Sequence, residues 1–146
     1  MSLLSFVKEA GEKLIDLLTP GNANASEQLK EHISKVGLGN PNVQATVDGD
    51  KVTVTGEVAS QEEKEKILLA VGNIAGVGSV DDQITVTGPV VVAAKFVTVV
   101  AGDTLSKISL RVYGDANKYQ KIFEANKPML KDVNKIYPGQ SLRIPE

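Results

Sequence analysis

Hydrophobic residues along the chain predict an N-terminal helix followed by two small units of mixed helices and strands. Over residues 2–18, apolar side chains recur at helical spacing among charged ones, and Gly11 interrupts the pattern in the middle. Pro20 and Gly21 end it, and the small polar residues that follow predict a linker as far as residue 25. The apolar positions of this predicted helix are Leu3, Phe6, Val7, Leu14, Leu17 and Leu18.

Residues 26–87 begin with the pattern of a helix and a β-hairpin. Ser26 is predicted to cap a helix that ends between Gly37 and Pro41. Alternating apolar residues then flank Asp48-Gly49-Asp50, a sequence that favours a tight hairpin turn. Gly56 is expected to end the second strand of that hairpin.

The same unit continues with a second helix and a third strand, which completes an αββαβ order. Ser60 and Glu63 have the spacing of a capping box before the helix. In the last strand one polar residue, Asp82, interrupts an apolar row. That row consists of Val80, Asp82, Ile84 and Val86.

After a predicted linker at residues 88–95, residues 96–146 have the pattern of a βααβ unit. Two short helices are expected, the second with a buried stripe and an end near Asn126. A turn at Tyr137-Pro138-Gly139-Gln140 precedes the final strand. The whole chain is therefore predicted to be an α+β protein. The expected buried stripe of the second helix is Tyr119, Ile122 and Phe123.

Composition limits the available chemistry. The chain has no cysteine, a single histidine and a net charge of −2. This composition argues against a zinc or copper centre and against a nucleic-acid partner. His32 follows Glu31 and is expected on a solvated helix face. With neither a signal peptide nor a long apolar segment in the sequence, we expect a cytoplasmic protein without stable membrane insertion.

The segment from Val71 to Val80 is rich in glycine and carries no charged side chain. Any ligand it holds must be bound by the backbone. Selective K⁺ sites replace the hydration shell with neutral carbonyl oxygens, whereas carboxylate-rich sites favour Ca²⁺ or Mg²⁺. The segment joins a helix to a strand, so it does not fit the dinucleotide-binding fingerprint. The residues alone leave two interpretations open, a cation site and a plain connecting loop.

The N-terminal segment is the candidate second half of such a cation site. If its helix ends at Gly11, the carbonyl groups of Val7 to Ala10 lack intrahelical partners and lie at the negative end of the helix dipole. Val7 and Ala10 are three residues apart and therefore share a helix face.

Two motif sets resemble known domain families. Val52-Thr53-Val54-Thr55-Gly56-Glu57-Val58 and Gly76-Val77-Gly78-Ser79-Val80-Asp81-Asp82 resemble a BON domain. Gly102-Asp103-Thr104-Leu105, together with Ile136-Tyr137-Pro138-Gly139-Gln140 and the strand after it, resembles a LysM domain. The expected organisation is a helical segment, a BON domain at 26–87 and a LysM domain at 96–146.

The whole arrangement resembles a family of bacterial potassium-binding proteins, with further similarity in Phe6–Leu14, Glu65–Ile74 and Lys121–Lys131. The resemblance implies a non-enzymatic cytoplasmic sensor that takes K⁺ as its ligand and becomes more ordered on binding it. We expect a monomer. The K⁺ ligands that the resemblance implies are the backbone carbonyl groups of Val7, Ala10, Gly72, Ile74 and Val77.

The resemblance to LysM domains implies an alternative function, because such domains bind N-acetylglucosamine-containing glycans such as peptidoglycan. The chain would then be an adaptor at the cell envelope. A third interpretation is a stress-related scaffold with no ligand of its own. The glycan-binding residues implied by the resemblance are Gly102, Asp103, Thr104, Asn126 and Ile136.

Overall fold

The computed structural model describes residues 2–5, 25–39, 42–48, 50–74, 77–89, 94–127 and 129–145. Within these ranges the chain forms the α+β fold that the sequence predicts, with a four-stranded sheet followed by a two-stranded one.

The first strand, β1, corrects the prediction for the N-terminus. Residues Ser2–Ser5 form a strand, not the first turn of a helix. Their partner is the distant strand Ser79–Val86, named β4 below. Pairing with a remote strand outweighs the local helical pattern, because intrinsic propensity is a weak preference that tertiary contacts override. The rest of the predicted helix, residues 6–18, lies outside the described residues.

The first unit has the predicted αββαβ order. Helix α1 (Ala25–Ile33) is followed by strands β2 (Val43–Asp48) and β3 (Lys51–Val58). Helix α2 (Gln61–Gly72) then leads to β4. The sheet order is β1-β4-β3-β2, in which β3 and β4 run parallel and the outer pairs are antiparallel.

Two boundaries of this unit differ from the prediction. Helix α1 begins at Ala25, so Ser26 lies inside the helix and is not its N-cap. Gly56 lies within β3 and does not end it. The backbone of Gly56 has a φ of 139°, and a Cβ atom there would lie 2.2 Å from the carbonyl oxygen of Asn42. The close approach of β2 therefore requires glycine at this position.

Apolar residues of α1, α2 and the sheet form one core. The predicted N-cap at Ser60 is confirmed, since the Ser60 hydroxyl accepts a hydrogen bond from the Glu63 N–H at 3.1 Å. Asp82 is buried in the apolar row because Lys64 pairs with it at 2.9 Å and the Ile84 N–H donates to it at 3.1 Å. The buried apolar residues are Leu29, Ile33, Val43, Ala45, Val52, Val54, Val58, Ile67, Leu68, Val71, Ile74, Val77, Val80 and Ile84.

The second unit has the predicted βααβ order, with a short 3₁₀ turn at Ala116–Lys118. Strand β5 (Lys95–Thr98) pairs antiparallel with β6 (Ser141–Ile144). Helices α3 (Leu105–Tyr113) and α4 (Tyr119–Ala125) connect them. The core of this unit is Val99, Leu105, Ile108, Ile122, Leu130, Leu142 and Ile144.

Two side chains lie in environments other than those predicted. Tyr119, expected in the buried stripe of α4, is exposed, whereas Ile122 is buried and Phe123 is half-buried. His32, expected on a solvated face, is buried. It faces the second unit and lines a cavity together with Met129. The helical pattern could not show that another unit covers this face of α1.

Candidate functional site

The glycine-rich segment connects α2 to β4 and is fixed by its apolar side chains. Ile74 and Val77 are completely buried in the core of the first unit. Gly72 is the last residue of α2 and is also buried. Residues 75 and 76, between the two anchors, lie outside the described residues. The backbone on both sides of the loop is therefore held by packing of side chains that carry no polar group.

Backbone hydrogen bonds close the loop into a turn. The Val77 N–H donates to the Ile74 carbonyl at 3.2 Å. The N–H groups of Gly78 and Ser79 both donate to the carbonyl of Asp50, at 2.8 and 3.3 Å. A carbonyl oxygen has two lone pairs, so the oxygen of Ile74 can accept one more interaction. The loop is thus tied to the hairpin turn and offers backbone acceptors.

Strand β1 ends beside this loop. In the register between β1 and β4, Ser5 is the Cα partner of Ser79, the first residue after the loop. Three of the five predicted K⁺ ligands lie among the described residues, Gly72 at the end of α2 and Ile74 and Val77 in the loop. Val7 and Ala10 lie outside the described residues. That their carbonyl groups approach the loop therefore stays a prediction.

Asn73 links the loop to the second unit. Its side-chain amide donates to the Ser141 carbonyl at 2.9 Å and accepts from the Ser141 N–H at 2.8 Å. The same amide nitrogen lies 3.5 Å from the sulfur of Met129. Asn73 immediately precedes Ile74 and is buried. A displacement of the loop would therefore act directly on β6.

A buried ion pair also joins the two units, between Glu65 of α2 and Arg143 of β6. The Glu65 carboxylate accepts hydrogen bonds from the Arg143 guanidinium at 2.8 and 3.1 Å. Its other oxygen accepts from the Gln61 side chain at 3.1 Å and from the Ala94 N–H at 2.8 Å. Arg143 also donates to the Ala125 carbonyl at 2.9 Å. This cluster fixes α2 against β6 and holds the start of the second unit.

Sequence reasoning did not single out Asn73, Glu65 or Arg143 as residues that join the two units. A signal was available for Arg143, which lies between Leu142 and Ile144 in a strand that is buried throughout. Glu65 lies in the charged run Glu62–Lys66 and offers no such signal. An ionic residue within an apolar segment indicates a buried partner, but the sequence does not say which one.

Three residues of the predicted glycan groove surround the start of α3. Gly102 has a φ of 87°, and its carbonyl accepts from the Lys107 ammonium at 3.1 Å. The Asp103 carboxylate accepts from the Val100 N–H at 3.1 Å and pairs with Arg111 at 3.3 Å. The Thr104 hydroxyl caps α3 by accepting from the Lys107 N–H at 3.1 Å. This loop is held in one shape by its own polar groups.

Asn126 and Ile136, the other two residues of that predicted groove, have structural contacts. The Asn126 amide donates to the carbonyl groups of Ile122 and Arg143 at 2.8 and 3.0 Å and accepts from the Arg143 N–H at 2.8 Å. It is buried, with 1% of its surface exposed. Ile136 is half-buried against the core of the second unit. In this conformation the Asn126 amide is occupied by contacts within the protein.

The environment of Asp103 makes the stability of the second unit depend on pH. The hydrogen bond from the Val100 N–H, aided by Arg111, lowers the pKa of Asp103 below its ordinary value of 3.8. A lowered pKa stabilises the folded state above the unfolded pKa, and this contribution is lost as the pH falls through the folded pKa. Asp103→Asn should therefore lower the melting temperature at pH 7 and lose most of that effect at pH 2–3. Thermal unfolding followed by circular dichroism at both pH values measures this, and an equal difference at both would contradict it.

Within the described ranges, no group of three or more histidine, cysteine, aspartate or glutamate residues could hold a metal ion. In the same ranges, no helix combines the length and apolar character needed to cross a bilayer.

Comparison with known proteins agrees with this architecture. Residues 22–88 match the model of the BON domain, and residues 97–145 match that of the LysM domain. The chain is 56% identical to "Potassium binding protein Kbp" of Escherichia coli O6:H1, over all of this chain and 99% of that protein. An uncharacterized Deinococcus radiodurans protein is 32% identical over 74% of this chain and 46% of its own length. The uncharacterized YqbP of Bacillus subtilis is 38% identical over 37% of this chain and 29% of its own length.

The two matches define a class of proteins in which a BON domain precedes a LysM domain. Because the identity to Kbp extends over the full length of both chains, the chain belongs to the Kbp family.

Proposed function

We propose that this protein binds K⁺ through backbone carbonyl groups of the α2–β4 loop and of the N-terminal segment. The proposed ligands are Val7, Ala10, Gly72, Ile74 and Val77. The name of the full-length relative, which is 56% identical, supports K⁺ as the ligand. No catalytic chemistry is part of the proposal, and the proposed working form is a monomer in the cytoplasm.

One observation carries the proposal: β1 ends opposite Ser79, next to the loop. Val7 is two positions after Ser5, and two residues of extended chain span at most about 7 Å. The N-terminal carbonyl groups can therefore reach the loop without rearrangement of the sheet. The sequence analysis paired the N-terminal segment with the loop because a helix was expected to end at Gly11. The pairing of strand β1 with β4 supports the same proposal for a different reason.

The chemistry of the loop favours a monovalent cation over a divalent one. Its anchors, Ile74 and Val77, are apolar, and the loop contributes neutral oxygen atoms. K⁺ is weakly hydrated and is coordinated well by several neutral carbonyl groups, whereas Ca²⁺ and Mg²⁺ favour carboxylates. Packing fixes the backbone before the ion arrives, which reduces the entropic cost of assembling the site.

Ordering on binding would follow from joining two segments of the chain. An ion held by both the N-terminal segment and the loop favours the conformation in which the two are adjacent, and the population shifts towards it. Asn73 carries this change to the LysM domain, because its amide bonds to both backbone groups of Ser141. K⁺ binding would then change how the LysM domain docks on the BON domain, as expected of a sensor.

Isothermal titration of the full chain with KCl and, separately, with NaCl tests the proposal. We expect saturable heat with KCl and little with NaCl at equal ionic strength. Chemical-shift changes on adding K⁺ should be largest around Ile74 and Val77. Gly76→Val, at a position outside the described residues, should weaken binding by restricting the loop backbone. Equal and negligible heats for both salts would contradict K⁺ binding.

A second function, glycan binding, is supported by the match of residues 97–145 to the LysM model. The start of α3, with Gly102, Asp103 and Thr104, would form one wall of the groove, and Asn126 would have to exchange its internal hydrogen bonds for ligand contacts. Retention on purified peptidoglycan, combined with cell fractionation, separates this function from K⁺ sensing. Retention that is independent of K⁺, in an envelope fraction, would favour the glycan adaptor.

A further inference from the structure

A cleft between the BON and LysM domains is lined by lysine side chains on one side and neutral polar groups on the other. One part, of about 210 Å³, is lined by His32, Lys35, Val36, Met129, Lys131 and Lys135. The adjoining part, of about 160 Å³, is lined by His32, Val36, Ala70, Asn73, Met129, Lys135, Tyr137 and Gln140. Four residues are common to both lists, so the two parts are continuous. Together they reach the lower end of the range of small-molecule sites, roughly 300–1,000 Å³.

The wider part of the cleft is electropositive. Lys35 comes from the π-helical segment Ser34–Leu38 that directly follows α1, whereas Lys131 and Lys135 come from the segment between α4 and β6. Among the described residues that line either part, none is an aspartate or glutamate. None of the three ammonium groups forms an ion pair with any described residue. All three lysines are exposed, so water and salt screen their mutual repulsion, and an anion bound in the cleft would add a favourable interaction with them.

The narrower part holds a buried acceptor without a partner. The side-chain oxygen of Gln140 has no hydrogen-bond partner in the described structure, although only 4% of this residue is exposed. An unsatisfied buried polar atom is unfavourable, so such atoms are rare and call for an explanation. A donor placed in the cleft, such as a hydroxyl group, would satisfy it.

We propose that this cleft binds a small phosphomonoester that also carries hydroxyl groups, such as a sugar phosphate. The phosphate would lie among Lys35, Lys131 and Lys135, because lysine ammonium groups act on phosphate as point charges. A hydroxyl group would donate to the Gln140 oxygen, in the part shared with Asn73. The ligand would contact both domains and so favour their docked arrangement. None of the five proposed K⁺ ligands is among the described residues that line the cleft.

The test uses the full-length protein at constant KCl and ionic strength, with glucose 6-phosphate, glucose and inorganic phosphate as separate probes. In two-dimensional NMR, glucose 6-phosphate should shift the amides of residues 32–36 and 129–140 in a saturable way. Inorganic phosphate should bind more weakly, and glucose should not bind measurably. Binding of phosphate equal to that of glucose 6-phosphate would overturn the role of the hydroxyl group. Shifts outside these segments only, or none that saturate, would overturn the site.

Three variants sharpen the test. Lys131→Gln combined with Lys135→Gln should weaken glucose 6-phosphate binding by about tenfold, since each exposed ion pair contributes roughly two- to fivefold. Lys95→Gln, at an exposed lysine outside the cleft, is the matched control and should have no effect. Gln140→Met should weaken glucose 6-phosphate binding but not phosphate binding, and should not lower the melting temperature of the free protein. An equal loss with Lys95→Gln would show general charge attraction and overturn the proposal.

Discussion

Glu65→Ala is expected to lower the free energy of unfolding by about 3–5 kcal/mol, because it leaves Arg143 buried without its carboxylate. Both side chains are almost fully enclosed, with 4% and 9% of the Glu65 and Arg143 side-chain surface exposed. The substitution also removes the acceptor of the Ala94 N–H, which precedes the LysM domain. For a chain of this size the melting temperature should fall by roughly 6–20 °C. Chemical denaturation followed by circular dichroism measures the change.

Two further variants show whether the loss comes from the unpaired charge. Glu62→Gln is the matched control: Glu62 also lies near Arg143, at 3.7 Å, but its side chain is 59% exposed. Its effect should stay below about 1 kcal/mol. Replacing both Glu65 and Arg143 with methionine should be less destabilising than Glu65→Ala, since neither charge then remains buried. A Glu65→Ala variant as stable as the original protein would show that the pair does not fix the domains.

Removal of residues 1–11 is expected to weaken K⁺ binding by about 100-fold or more. It removes β1, which pairs with β4 beside the loop, and with it two of the five proposed carbonyl ligands. Loss of residues that support a metal ion from outside its ligand shell typically weakens affinity 10–100-fold, so loss of two ligands should weaken it by about 100-fold or more. Titration calorimetry and the rise in melting temperature with KCl both report this loss.

The truncated protein must be shown to keep its fold. The described apolar core of the first unit runs from Leu29 to Ile84, so the far-ultraviolet circular dichroism spectrum should retain helix and sheet. Asp103→Asn, in the LysM domain, provides a full-length comparison that should bind K⁺ with unchanged affinity. K⁺ binding by a folded truncated protein at full affinity would show that the loop binds the ion without the N-terminal segment.

The sequence predicted most elements after residue 25, because their signals are local. Alternating apolar residues on both sides of Asp48-Gly49-Asp50 gave the hairpin, and Ser60 with Glu63 gave the start of α2. Thr104 is the N-cap of α3 and Gly114 is its C-cap, roles that both residue types favour. The Gly114 N–H donates a hydrogen bond to the Leu110 carbonyl at 2.9 Å. Caps and turns act over three or four residues, so one sequence contains the whole interaction.

Besides the two shifted boundaries at Ser26 and Gly56, the errors concern residues whose environment the local pattern does not show. Ser2–Ser5 is a strand because β4 offers an edge, which lies more than seventy residues away in the sequence. His32 is buried because the LysM domain covers α1, and Tyr119 is exposed although its position fits an apolar stripe. Periodicity shows which residues share a face but does not show what covers that face.

The sequence by itself determined the α+β class, the order of elements in the two domains and the location of a charge-free glycine loop. Only the tertiary structure placed β1 next to that loop, paired Glu65 with Arg143 and joined Asn73 to Ser141. These three contacts bridge residues separated by 68 or more positions, as the shortest of them, Asn73 to Ser141, shows. The physical reason is that backbone propensity and capping are local, whereas strand pairing and buried ion pairs depend on which surfaces meet after the chain has folded.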